Sequence, residues 1–316
     1  MSERSLFAAT RLASGDVDYP LPTAGEAHWQ PSASGTTTAV RVALPAVPAG
    51  HLIAASFASP DTDAPFRFVL QVREAVAATG HFGMVAGPDA ALGCDGVDVL
   101  VDCFVSRRPL AAGALVVEVD SPVLPRTYLL NVVVRPVQTM PRGTPGEVAP
   151  IVLPALSQTS LHESVRGGAC SPTCVAMVVR SRIADVSHEA IAATTAHWPS
   201  RMLGVWPQNL WAAARHGVVG GIELLHDWQA IGNVLEAGSP VVASIRFEAR
   251  ELAGAPLQRT SGHLVVLRGI RQGRVLVLDP AAPDGSVERS YDACEFANAW
   301  LRHRGAAYVF ADGRLS

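Results

Sequence analysis

A run of proline and glycine divides this chain into two stretches of different pattern, and that division constrains the fold more than any other feature. Residues 136–150 read Pro-Val-Gln-Thr-Met-Pro-Arg-Gly-Thr-Pro-Gly-Glu-Val-Ala-Pro, with no hydrophobic period, as expected of an interdomain linker. Before it, short β-branched or aromatic segments follow one another at 37–44, 52–59, 66–74, 97–105, 114–119 and 128–135, separated by Gly, Pro and Asp turns. No amphipathic helix interrupts them. The alternation of Phe66-Arg67-Phe68-Val69-Leu70-Gln71-Val72-Arg73 is that of a strand with one solvated face, so this half reads as an antiparallel β-sandwich.

After the divide the pattern changes. An apolar lead is followed by a helix from Pro172 to about Arg182, helical segments at 187–195, 207–216 and 227–237, and strands at 241–247, 263–270 and 275–278. Helices first and an antiparallel sheet afterwards make an α+β domain. The expected organisation is an irregular lead-in over 1–35, an all-β sandwich domain over 36–136, a linker over 137–150 and a second domain over 151–316. At 316 residues and 49% hydrophobic content, the chain is able to bury two cores.

Charge and cysteine usage narrow the chemistry. With 25 basic and 28 acidic residues, and no basic block, neither nucleic acid nor an anionic membrane is an expected partner. Every basic residue is arginine, which excludes a P-loop lysine, a Schiff-base lysine and a serine-lysine dyad. No signal-peptide core opens the sequence and no run of about 18 apolar residues occurs, so the expected location is the cytoplasm. Five cysteines, Cys94, Cys103, Cys170, Cys174 and Cys294, fit reduced thiols better than a disulfide framework. His51, His81, Asp61, Asp63, Asp95 and Asp98 match no metal-ligand spacing and read as surface loops.

The stretch Gly167-Gly168-Ala169-Cys170-Ser171-Pro172-Thr173-Cys174 places a cysteine at the mouth of a helix. Ser171-Pro172 reads as an N-cap followed by proline at the first helical position. A helix N-terminus stabilises an anion, and the nucleophilic form of cysteine is the thiolate. Such a nucleophile needs a base, a group that orients the base, and donors for the oxyanion. His263 opens the strand His-Leu-Val-Val-Leu-Arg-Gly-Ile, and Asp279 closes the next one, Arg-Val-Leu-Val-Leu-Asp-Pro. A hairpin around Gln272-Gly273 brings them to the same end, but a tight two-residue turn would set residue 263 against residue 282. A bulge, a longer turn or strand twist is needed to close the gap. The rival chemistry, a zinc site from Cys170, Cys174 and His263, lacks the second ligand pair of tetrahedral templates.

Cys-Ser-Pro-Thr-Cys-Val-Ala-Met-Val at 170–178 resembles the Cys-Gly-Pro-Thr-Ser-x-Ala-Met motif of papain-like cysteine peptidases of the bacteriocin-processing (double-glycine peptidase-like) branch. Ser-Gly-His-Leu-Val-Val-Leu-Arg-Gly-Ile at 261–270 and Val-Leu-Val-Leu-Asp-Pro at 275–280 resemble its histidine strand and its Asp-Pro strand end. The resemblance covers about residues 151–312. It implies a papain-like fold there, with Cys170 as nucleophile, His263 as general base and then acid, and Asp279 holding the imidazole. Gln158 matches the upstream glutamine whose amide helps the Cys170 backbone N–H bind the oxyanion. Ser171 stands where the family has glycine, and a side chain there would crowd the approach of substrate. Cys174 takes a position usually held by serine or alanine. Trp206 lies in a segment that resembles a loop leading into the next helix near the cleft.

The function so implied is a cysteine peptidase or amide hydrolase, acting through an acyl-enzyme on a peptide or related amide bond without metal or organic cofactor. Two other readings stay open. One is a thiol-dependent acyltransferase or peptide-modifying enzyme; the other is a catalytically inactive binding protein that uses the β-sandwich.

Overall fold

The computed structural model describes residues 7–11, 19–21, 27–73, 75–85 and 89–312. The first half runs β1 (Phe7–Arg11), β2 (Trp29–Pro31), β3 (Thr38–Leu44), β4 (His51–Ala58), β5 (Phe66–Val72), β6 (Ala75–Ala78), β7 (Val97–Val99), β8 (Cys103–Ser106), β9 (Gly113–Val119) and β10 (Tyr128–Pro136). Among these residues it forms two five-stranded antiparallel sheets, ordered β1-β10-β4-β8-β7 and β2-β3-β9-β5-β6. In β3, Thr-Ala-Val-Arg-Val-Ala-Leu buries every second residue, giving one dry face and a more open one. Its Val40 and Val42, with Phe68 and Val117, share one core with Ile53, Phe57, Leu130 and Val132 of the other sheet.

The second half runs α1 (Glu163–Arg166), α2 (Cys170–Arg182), α3 (His188–Thr194), α4 (Trp206–Ala214), β11 (Gly220–Leu224), α5 (Trp228–Glu236), β12 (Val241–Phe247), β13 (Thr260–Arg271), β14 (Arg274–Leu278), β15 (Glu288–Asp292), α6 (Ala293–Ala299) and β16 (Ala306–Phe310). Its sheet is antiparallel throughout, in the order β11-β16-β12-β13-β14-β15. Alternation along each strand feeds two cores. Val242, Leu264 and Val266 pack with α2, whereas Val241, Val265 and Val277 pack with Ile231 and Val234 of α5 and Phe296 of α6.

Strands β4 and β10 explain why the halves meet. Both are apolar on two faces: while Ile53 and Phe57 face the first core, Leu52, Ala54 and Val133 join the core around α2. Polar groups fix the contact. Asn131 Nδ2 donates to the Ile222 carbonyl at 2.6 Å and to Glu223 Oε1 at 2.7 Å, and Ser56 Oγ accepts the Ile222 N–H at 2.9 Å.

Several elements differ from the sequence reading. Residues 1–35 lie partly outside the described residues, but 7–11 pair with β10 and 29–31 with β3, so this stretch is not irregular throughout. Segment 97–105 is a hairpin, because the chain reverses at Leu100–Asp102, where the Leu100 N–H donates to the Cys103 carbonyl at 2.8 Å. The proline-rich stretch is hydrogen-bonded to the second half. Its Val148 bridges Ile270, Thr139 N–H donates to the Arg302 carbonyl at 3.0 Å, and Ile151 N–H donates to the Arg268 carbonyl at 2.7 Å. Strands β6, β11, β15 and β16 and helix α6 come in addition.

The docking of residues 148–151 on β13 requires a residue without a side chain at 269. A Cβ built on Gly269 would stand 2.8 Å from Pro150 Cα and 3.1 Å from the Val148 carbonyl oxygen. Gly269→Val is therefore expected to destabilise the protein by about 1–3 kcal/mol, read as a lower urea midpoint.

Candidate active site

The pair His263 and Asp279 depends on one extra residue. The Gln272-Gly273 turn has φ of 53° and 69°, the left-handed pair of a two-residue hairpin, and Arg271 pairs with Arg274 across it. Gly269 faces Leu276, but Leu267 faces Val277, so Arg268 is a bulge. Without the bulge Asp279 would fall opposite Val266, on the sheet face away from His263. With it the register sets Asp279 opposite Val265, on the face that His263 shares. His263 Nε2 lies 2.8 Å from Asp279 Oδ1, and both residues are almost fully buried.

The carboxylate is held from its other side too. Asp279 Oδ2 accepts the Tyr291 hydroxyl at 2.7 Å, and Oδ1 accepts the Ala281 N–H at 3.0 Å. Burial pushes the Asp279 carboxyl up, but the His263 and Tyr291 hydrogen bonds outweigh it and hold the carboxyl below its ordinary value. Tyr291 is pushed up, by burial and by the carboxylate it donates to, and so stays a donor.

Cys170 is half-buried at the start of α2 and lines the same cleft as the His263 ring. Because Nε2 is taken by Asp279, Nδ1 is the ring nitrogen left for a partner in the cleft. Burial raises the Cys170 thiol, and the His263 hydrogen bond and charge, with the N–H groups of Leu264 and Ser171, bring it below the usual thiol value. Burial lowers His263, but its bonds to Asp279 and Cys170 prevail and it is pushed up to about 10. The arrangement favours a thiolate beside an imidazolium.

The helix start differs from the expected cap. α2 begins at Cys170, with Ala169 in the cap position and no side-chain cap bond. Ser171 is fully buried, and its hydroxyl bonds the Tyr308 hydroxyl at 2.8 Å instead of closing the helix end. That inward bond also keeps the Ser171 side chain out of the cleft. Pro172 sits within the first turn, where no intrahelical N–H bond is lost. Cys174, one turn on, is fully buried with Sγ donating to the Leu264 carbonyl at 3.3 Å, and burial pushes its thiol well up.

Gln158 lines the same cleft as Cys170 and His263. One hydrogen of its Nε2 goes to the Arg166 carbonyl at 2.8 Å, which leaves the second for an oxyanion. The Cys170 N–H, first in its helix, has no intrahelical carbonyl to bond. The cleft encloses about 1000 Å³. Trp206 and Trp198 line it, as do Leu100, Val101 and Asp102 from the first half and Arg246 and Arg304 from the second. The sequence reading missed Tyr291 and the 100–102 turn. Among the described residues no three His, Cys, Asp or Glu side chains are grouped to hold a metal ion.

A thiol at a helix start, sharing a cleft with a buried histidine that a carboxylate orients, defines the class of thiol-histidine sites. Residues 151–308 match the model of the Peptidase_C39 like family, and the chain belongs to that family. Among solved structures, a C39-like peptidase from Bacillus anthracis is similar at 15% identity and a TM-score of 0.42, covering 54% of this chain and 99% of its own. A double glycine motif protease from an AMS/PCAT transporter, solved with its leader peptide, is similar at 17% identity and a TM-score of 0.35, covering 55% of this chain and 98% of its own. No curated protein matches the chain. No helix among the described residues is long and apolar enough to cross a membrane.

Proposed function

We propose that this chain is a cysteine peptidase or amide hydrolase that works through an acyl-enzyme in the reducing cytoplasm. The observation that carries the reading is the His263–Asp279 hydrogen bond, buried beside a cleft that His263 lines together with the half-buried Cys170. The Cys170 thiolate attacks the substrate carbonyl, and the oxyanion takes hydrogen bonds from the Cys170 N–H and Gln158 Nε2. The imidazolium gives its Nδ1 proton to the leaving amine, and the C–N bond breaks to leave a thioester. A water then gives a proton to His263 and attacks the thioester; the proton returns to sulfur or is shared with it as the acid departs.

In this reading the chain divides at 137–150 into a β-sandwich domain over 36–136 and a papain-like domain over 151–316. Supporting it are the two facing sheets of the first half and the family match confined to the second. The first domain's place in the reaction is to wall the cleft rather than to carry chemistry.

The test is mass-spectrometric mapping of iodoacetamide labelling across pH, cysteine by cysteine, on the native protein and on His263→Ala. Cys170 is expected to react at a pH below the reference of about 8.5 for an ordinary thiol, ahead of the exposed Cys294. The substitution is expected to remove that advantage. A Cys170 no faster than Cys294 would sink the proposed triad.

A further inference from the structure

Leu100, Val101 and Asp102 belong to the β7–β8 turn of the first half, yet they line the cavity that holds Cys170 and His263. Packing brings them there, and one hydrogen bond between the halves ties the turn to the cleft. Asp102 Oδ2 accepts the backbone N–H of Trp206 at 3.0 Å. Trp206 opens α4, whose cap residue Val205 makes no side-chain bond, so a carboxylate from the other half serves that helix end. The facing loop is tied to the first half as well. His197 bonds the Ser200 hydroxyl at 2.7 Å through Nδ1 and the His81 carbonyl at 3.0 Å through Nε2.

That loop is shaped for contact rather than for packing. Arg201 takes φ of 56°, a left-handed conformation uncommon for a side chain of its size. Beside it Trp198 and Met202 stay 60% and 49% exposed. The charge of the cavity is equally uneven. Arg201, Arg246 and Arg304 line it against the single carboxylate of Asp102, which already accepts a hydrogen bond. Among the described residues none of the three arginines makes an ion pair. This cationic lining lies in a chain of formal net charge -3, so it is a local feature and attracts anions to the cleft.

We propose that the β7–β8 turn is the specificity wall of the cleft, and that the subsite it closes takes an apolar side chain of a peptide bearing a neighbouring carboxylate. Leu100 and Val101 touch the apolar side chain, the arginines face the carboxylate, and Asp102 is a positioning residue that holds the turn. The inference deepens the proposed hydrolase function and rests on it for the peptide class of the ligand.

The experiment uses full-length Cys170→Ala as a trap for an immobilised peptide library, with retained peptides sequenced by mass spectrometry. Peptides pairing Leu or Phe with an adjacent Asp or Glu are expected to be enriched. Leu100→Ser with Val101→Ser is expected to flatten the apolar preference at least tenfold, and Arg246→Glu to remove the acidic one. Asp102→Ala should act like the double substitution, whereas Asp102→Asn, which keeps an acceptor for the Trp206 N–H, should restore the preference. The same turn substitutions should leave the circular dichroism spectrum unchanged, showing the chain still folded. Unaltered selection in the double variant, enrichment of cationic peptides, or no retained peptide would overturn the proposal. Selected peptides that bind but are not cleaved by the unsubstituted protein would instead count against the hydrolase reading and leave the wall standing.

Discussion

His263→Ala is expected to lower kcat/KM by about 10³- to 10⁴-fold, measured on any peptide the unsubstituted protein cleaves, with little change in fold. The ring serves both halves of the proposed cycle. As imidazolium it holds the Cys170 thiolate, and as acid it protonates the leaving amine, so its loss removes two contributions at once. The carboxylate left behind is not orphaned: Asp279 keeps the Tyr291 hydroxyl and the Ala281 N–H. Tyr291→Phe, by contrast, removes one donor to Asp279 while His263 and Cys170 stay in place. It should shift the pH dependence more than the maximal rate.

The pH behaviour follows from the directions of the shifts. His263 is raised from 6.5 to about 10, so its contribution to folding stability is fully present below 6.5 and is lost as pH rises through about 10. Asp279 is depressed from 3.8, so its contribution is present above 3.8 and is lost as pH falls through its lower folded value. Stability from this pair is therefore complete between 3.8 and 6.5 and wanes on either side. In the proposed cycle activity needs the thiolate and the imidazolium together, so kcat/KM should fall above about 10 as the ring loses its proton and fall at low pH as the Cys170 thiol, held below its ordinary value, takes one up. A fall centred near 6.5, the value of a free imidazole, would contradict the Asp279 and Cys170 contacts.

What the sequence discloses and what it withholds divide along local and non-local lines. Cys170 and His263 are legible because each is framed by its immediate neighbours, a glycine pair before a buried helix and a glycine before a strongly apolar strand. The need for a bulge between His263 and Asp279 is legible from residue counting, but its place at Arg268 is not. That place is set where Gly269 lets residues 148–151 dock. Tyr291 lies in Glu-Arg-Ser-Tyr-Asp, a polar edge strand without the alternation that marks β-structure. β11 opens on Gly220-Gly221, poor strand formers by propensity, yet a Cβ on Gly221 would come within 2.7 Å of Leu129 of β10. Close approach between the halves selects glycine there, and no local rule anticipates it. The cleft wall at Leu100–Asp102 is withheld for the same reason. It is a turn in one half, and only the packing of β4 and β10 against the α2 core carries it to the thiol in the other.

Arg135→Met is expected to cost about 3–5 kcal/mol of stability, seen as a lower urea midpoint with an unchanged slope. Arg135 leaves the end of β10 and is only 1% exposed, an uncommon place for a guanidinium. Its Nη groups are held mainly by the second half: Nη1 donates to the Leu225 carbonyl and, at 3.1 Å, to the Arg304 carbonyl, while Nη2 donates to the Leu301 carbonyl and to the Thr139 hydroxyl of the 136–150 stretch. Methionine fills much of the volume but leaves buried carbonyls without donors, and those unmade bonds set the size of the effect. Gly305 packs against this guanidinium at φ of 59°, so Gly305→Ala should destabilise through the same contact. The effect should reach the cleft as well, because the Arg304 carbonyl that Arg135 holds belongs to a residue whose side chain lines it. Arg135→Met at a temperature where it remains folded should raise KM for acidic peptides more than it lowers kcat. A variant that loses stability while keeping KM would show that the latch joins the halves without shaping the site.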